Sequence, residues 1–144
     1  MRVLVDTNVL IIGALDLAIN KDSPEKKILE LLVERKLKLV YSSKLLEEYC
    51  RIALKLKDKQ FSSWIRYLII TLDSNFVSDN EIEQIKDNFK DKLPKEDLVH
   101  FLACVLGGVD YLISNNREFL KKAQNNSFSC MLPSQFLEEL KESR

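Results

Sequence analysis

Glycine and proline are scarce, three of each in 144 residues. That excludes a flexible linker and predicts a chain dominated by helices. Cysteine is equally thin: Cys50, Cys104 and Cys130 are scattered, form no CxxC pair, and accompany a single histidine, His100. A zinc site or a disulfide framework is excluded on that count. Each cysteine stands in an apolar context and reads as a free buried thiol, which suits a reducing, cytoplasmic location. Neither charge sign is in excess, with 22 Lys+Arg against 22 Asp+Glu. Composition therefore gives no argument for a dedicated nucleic-acid binder, and zero net charge fits a chain that associates with itself or with a partner. No long apolar run is present either. The N-terminal MRVLVDTNVLIIGALDLAI is interrupted by Asp6, Asn8 and Asp16 and has no small-residue cleavage site, so neither a signal peptide nor a membrane span is expected.

What is present is core material, 46% hydrophobic residues at the length of one domain. Arg2 to Val5 is a β-branched run that predicts a buried strand. Thr7 and Asn8 are cap candidates for a helix over 9–20. Asp22-Ser23-Pro24-Glu25 is a strong helix start: a Ser cap, then Pro, then an acid. Residues 37–41 predict a second strand, and Ser42 or Ser43 caps a helix over 44–57. A helix over 60–72 would place Trp64, Leu68 and Leu72 on one face. A short strand at Phe76-Val77 follows, then a polar helix over 79–89 capped by Asp79. Pro94 opens the most apolar helix, over 95–106, which Gly107-Gly108 stops. Strands over 109–113 and 128–132, with helices over 117–124 and 134–141, complete the chain. Alternation of this kind implies an α/β fold, a three-layer α/β/α sandwich around a mainly parallel sheet of four to five strands in a single domain.

Three acids are placed where bulk solvation does not explain them. Asp6 directly follows Val3-Leu4-Val5, at the carboxyl edge of a strand where open parallel sheets bind ligands; the bland reading is a helix cap. At ~100° per residue, Leu45, Tyr49, Ile52 and Leu56 form an apolar stripe, with Glu48 beside it and Glu47 turned away. Asp97 lies in a helix that is apolar nearly all round, sharing a face with Phe101 and Cys104. A carboxylate there is costly unless paired, hydrogen-bonded or bound to metal, although an acid in the first turn also gains from the helix dipole. Asp110 begins the strand over 109–113, at the edge opposite Asp6, and reads as structural. Clustered carboxylates require a cation, and hard oxygen ligands select Mg²⁺ or Mn²⁺. Such an ion activates water and stabilises charge on a phosphodiester. Composition and spacing go as far as a metal-dependent hydrolase. A phosphatase of the strand-plus-Asp type would need a second Asp close to the first, which Asp6-Thr7-Asn8 lacks.

The segments MRVLVDTNVL, SSKLLEEYCRIAL, KEDLVHFLACVLGGVDYLISNNREFL and MLPSQFLEEL resemble the PIN-domain family in order and spacing across nearly the whole chain. The resemblance implies metal acids at Asp6, Glu48 and Asp97, the last within an Asp-x-x-His-x-x-Ala helix. The family's Thr becomes Ser114, which keeps the hydroxyl. The fourth acid falls at Asn116, which keeps an oxygen and loses a charge; this predicts weaker metal binding, or partial substitution by Glu118. Asn8 would help organise the site. The resemblance further implies an Mg²⁺- or Mn²⁺-dependent ribonuclease, often the VapC-like toxin of a toxin–antitoxin pair. Its expected partners are RNA, a second copy of itself and a cognate antitoxin inserted into the active-site groove. In that scheme Asp6 and Asp97 hold metal, Glu48 acts through water or orients the nucleophile, Ser114 and Asn116 complete the cradle, and Lys44, Lys95 or Arg117 draw phosphates. The alternative is a catalytically weakened PIN domain that binds RNA or protein without cutting.

Overall fold

The computed structural model describes residues 1–89 and 91–142. Its elements are β1 (Arg2–Val5), α1 (Thr7–Ala18), α2 (Pro24–Val33), β2 (Lys38–Ser42), α3 (Ser43–Leu56), α4 (Lys59–Thr71), β3 (Ser74–Val77), α5 (Asp79–Ile85), a 3-10 turn (Lys86–Phe89), α6 (Lys95–Gly107), β4 (Tyr111–Ile113), α7 (Arg117–Ala123), β5 (Ser129–Met131) and α8 (Pro133–Glu142). The strands form one fully parallel sheet in the order β3-β2-β1-β4-β5. Parallel sheets carry helices on both faces and bury their strands; Val3, Leu4 and Val5 of the central strand are accordingly inaccessible to solvent. Helix α6 lies against β1, β2 and β3, with α5 packed on it. Helix α1 packs on α2 and α3, α3 on α4, and α8 on α2 and β4. The three-layer α/β/α expectation and its mainly parallel sheet are met. The chain lays strands to one side of β1 as far as β3, then reverses and adds β4 and β5 on the other side. Such a reversal opens a crevice at the carboxyl ends of the two strands that flank it.

Local rules explain most boundaries. Ser23 caps α2, with Pro24 at its first position. Gly108, at φ 62°, ends α6 in the left-handed conformation that glycine adopts without strain. Local expectations are corrected at several points. Helix α1 begins at Thr7, because the cap is Asp6 itself, whose carboxylate accepts from the Thr7 N–H. Helix α5 is capped by Ser78 in a reciprocal capping box with Glu81, and its last turn tightens to 3-10. Helix α4 buries Phe61, Ile65 and Ile69, packs Leu68 and Leu72 partly against the core, and leaves Trp64, Tyr67 and Ile70 exposed. The α3 stripe also shifts: Leu45, Tyr49, Cys50 and Ala53 are buried, while Leu56 is exposed.

Gly13 sits where α1 and α2 touch. A Cβ there would stand 2.6 Å from the Glu25 carbonyl oxygen. Alanine ordinarily stabilises a helix interior by about 1 kcal/mol over glycine, but here the obstacle is backbone. Gly13→Ala is expected to destabilise by about 1–3 kcal/mol in urea unfolding; a stabilised variant would disprove the close approach. Among the described residues no helix is long and apolar enough to cross a membrane.

Candidate functional site

The reversal between β1 and β4 places Asp6 and Ser114 side by side. Each directly follows its strand, and the Asp6 N–H donates to the Ile113 carbonyl at 2.9 Å. The buried Ser114 hydroxyl donates to Asp6 Oδ2 at 2.6 Å, while Asp6 Oδ1 accepts from the Thr7 N–H at 3.0 Å. Both oxygens of Asp6 are therefore oriented by the fold, and its capping role coexists with its place in the site.

Glu48 enters from α3. The buried stripe turns the helix so that Tyr49 lies beneath β1 and donates its hydroxyl to the Val5 carbonyl at 2.5 Å. Burial, then the charges of Asp6 and Glu48, hold that phenol protonated well above its ordinary range. With α3 pinned next to it, Glu48 meets Thr7, whose hydroxyl donates to Oε1 at 2.7 Å, and His100, whose Nε2 stands 3.0 Å from Oε2. Glu47 is exposed, as the helical geometry requires.

His100 reaches the site from α6, one turn after Asp97. One donor atom from each of Asp6, Glu48 and His100 lies within 4.8 Å of the others. Adjacent ligands of an octahedral ion at ~2.1 Å stand about 3 Å apart and opposite ones about 4 Å, so these groups stand close enough together to border a cation site. Asp97 joins it electrostatically: burial, then the charge of Asp6, raise its carboxyl above the ordinary 3.8. A carboxyl raised by burial and by a neighbouring carboxylate marks a place where a cation is favourable. The hydrogen bond from His100 holds Glu48 below its ordinary 4.5, against its own burial. Burial alone would depress His100, but the hydrogen bond and charge of Glu48, with Asp6 and Asp97, outweigh it and raise the imidazole above 6.5.

A pH dependence of stability follows. The lowered Glu48 stabilises the fold above pH 4.5 and loses this as pH falls through its folded value. The raised His100 stabilises it below pH 6.5 and loses this as pH rises through its folded value. In metal-free protein the pair should contribute most between those limits. Thermal unfolding of wild type and His100→Gln should differ most there and converge above it; a constant difference at every pH would contradict this.

Asn116 is exposed and already engaged. Its side-chain oxygen accepts the Phe119 N–H at 3.1 Å, capping α7, and its own N–H donates to Ser114 Oγ at 3.0 Å. Asn116 thus positions Ser114, which positions Asp6. Glu118 is exposed and paired with Lys122 at 3.4 Å. Asn8 is exposed in the first turn of α1. Asp110 lies at the opposite sheet edge, accepting the Arg2 N–H at 2.9 Å. Thr7 and His100 were not anticipated as members of the site. The signal was available for His100, the chain's sole imidazole, three residues after Asp97 and so on the same helical face. Beside the cluster, α3 and α6 frame a cleft of about 430 Å³ that contains Glu48 and His100 and carries three cations, Lys44, Arg51 and Lys95. Glu47 and Glu96 line it as well.

A family model described as PIN domain matches residues 2–118. The chain belongs to the PIN-domain family. Solved structures share the architecture. VapBC2 from Rickettsia felis, bound to a DNA fragment from their promoter, superposes with TM-score 0.59 at 16% identity, covering 92% of this chain and 98% of that one. PAE2754 from Pyrobaculum aerophilum gives 0.61 at 16% identity, with coverage of 99% and 96%. VapBC-1 from nontypeable Haemophilus influenzae gives 0.57 at 16% identity, with 93% and 99%. At this identity the likeness concerns the PIN fold. No curated protein matches the sequence.

Proposed function

We propose that this PIN-domain chain is a divalent-metal-dependent endoribonuclease, working as one domain in the cytoplasm as the toxin of a type II toxin–antitoxin pair. The observation that carries the reading is the convergence of Asp6, Glu48 and His100, with Asp97 charged against them, at the topological switch point. No local helix or strand requirement would bring these groups together. In this reading Asp6 and Asp97 hold Mg²⁺ or Mn²⁺, and Asn116 offers the free lone pair of its amide oxygen. A bound ion would lower the pKa of a nearby water and would offset charge on the phosphodiester. Glu48 orients that water, its carboxylate steadied by Thr7 and His100. Ser114 and Asn8 keep Asp6 and the first turn of α1 in place. RNA phosphates are drawn to the α3–α6 cleft by Lys44, Arg51 and Lys95, and to Arg117.

Two partners accompany the reading. The exposed Trp64, Tyr67 and Ile70 of α4 suit a second copy of the chain. The cleft suits an antitoxin segment, since blocking it blocks the acids. The deciding experiment is cleavage of a labelled structured RNA pool with Mn²⁺, Mg²⁺ or EDTA, by wild type and Asp97→Asn. Cleavage that needs metal and disappears in the variant is the expected result. The engaged oxygen of Asn116 favours one other reading, a weakened PIN domain that binds without cutting. RNA retained on wild type without cleavage would establish it instead.

A further inference from the structure

The chain's only imidazole raises a question that the acids do not: whether it binds the ion or serves a carboxylate. His100 is 5% exposed. Its Nε2 faces Glu48 Oε2 at 3.0 Å, and the other Glu48 oxygen is taken by the Thr7 hydroxyl. On the far side of the ring, Nδ1 is sealed from solvent and has no hydrogen-bond partner among the described residues. A metal-bound imidazole presents a bare nitrogen and donates its other N–H to a carboxylate or carbonyl. Ligation through Nε2 would drive the proton to Nδ1, where nothing accepts it, and buried N–H groups without acceptors are rare. Ligation through Nδ1 is closed by its burial away from Glu48. The arrangement that leaves no donor orphaned in the neutral ring is Nε2–H donating to Glu48, with Nδ1 bare.

We propose that His100 is a positioning residue: it donates Nε2–H to Glu48, fixes that carboxylate together with Thr7, and does not ligate the ion. The proposal rests on the metal-centre reading above for its consequence in catalysis, but not for the hydrogen bond itself. Glu48 is held at both oxygens while each keeps a lone pair for water. A carboxylate so restrained orients one water instead of rotating to chelate the ion.

One histidine means one imidazole in a long-range ¹H–¹⁵N spectrum of the full ¹⁵N-labelled chain. At neutral pH the Nε2 resonance should be of the protonated type, should stay so at saturating Mg²⁺, and should move in Glu48→Gln. Loss of the Nε2 proton on adding Mg²⁺, or an Nε2 resonance indifferent to Glu48→Gln, would overturn the proposal. Kinetics supply the second arm. His100→Leu keeps the volume without a donor and should lower kcat about 10–100-fold with KM for RNA and Mg²⁺ affinity retained. His100→Gln, which places an amide N–H near the Nε2 position, should recover most of the rate. Wild-type rates in the Leu variant, or a Gln variant no better than Leu, would refute it. If wild type cuts no RNA, the nuclease reading fails, while the spectrum still decides the His100–Glu48 contact.

Discussion

Asp6→Asn is expected to lower metal-dependent RNA cleavage by about a thousandfold while leaving the metal-free protein as stable as wild type, or more so. The rate effect follows from the scale of a bound cation's contribution, several kcal/mol of transition-state stabilisation, of which about 4 kcal/mol corresponds to three powers of ten. The stability effect follows from what else Asp6 does. Its capping oxygen survives in asparagine, a cap as good as aspartate, so the bond from the Thr7 N–H at 3.0 Å is retained. Ser114 Oγ can reverse its role and accept from the new amide while still receiving the Asn116 N–H. Removing the charge also relieves Asp97, which burial and then Asp6 hold above its ordinary range. Melting in EDTA should therefore stay level or rise, and the upward shift that Mn²⁺ gives wild type should vanish in the variant. Wild-type cleavage rates in Asp6→Asn would remove Asp6 from the centre.

Leu4→Ala should cause the largest loss of stability. Leu4 lies at the middle of the central strand, inaccessible to solvent, in register with Leu112 of β4. Helices close over both sheet faces, so a truncated side chain there leaves a cavity that cannot easily collapse. Such substitutions cost about 2–5 kcal/mol, a large part of the ~5–15 kcal/mol that holds a domain together. For a chain of this length the melting temperature should fall by roughly 4–20 °C. The apolar side chain of Leu4 can supply neither a ligand nor a hydrogen bond to the centre, so Mg²⁺ affinity at low temperature should survive. A melting temperature within error of wild type would mean that β1 is not the packed centre of the sheet.

The two substitutions differ in how readily the sequence pointed to them. The strand Arg2–Val5 and the acid that follows it are visible in a β-branched run ended by a carboxylate. The Asp97 helix is visible in the cost of placing a charge among Leu98, Phe101 and Leu102. Glu48 was separated from Glu47 by helical angle alone, and the exposed Glu47 agrees. At α4 the sequence left the buried side open, because Trp64, Leu68 and Leu72 form as regular an apolar row as Phe61, Ile65 and Ile69. Periodicity reports that a helix has an apolar side. When two rows compete, only the packing partner chooses, and here α3 and β3 chose the second. Asp6 was weighed as either a cap or a site acid; a carboxylate has two oxygens, and here one caps α1 while the other accepts from Ser114.

From the sequence by itself came the order of strands and helices, the breaks between them, the PIN resemblance, and the acids at positions 6, 48 and 97. Those features depend on interactions within a few residues, where propensity, capping and the desolvation cost of a charge operate directly. Only the tertiary structure decided the strand order, and with it the pairing of Ser114 with Asp6 across 108 positions of chain. It alone brought His100 and Thr7 to the two oxygens of Glu48. Those contacts depend on which strands become neighbours and how each helix is rotated against the sheet. That choice is made by the whole core at once, because burying every apolar face together leaves few arrangements in which the polar groups at the strand ends still find one another.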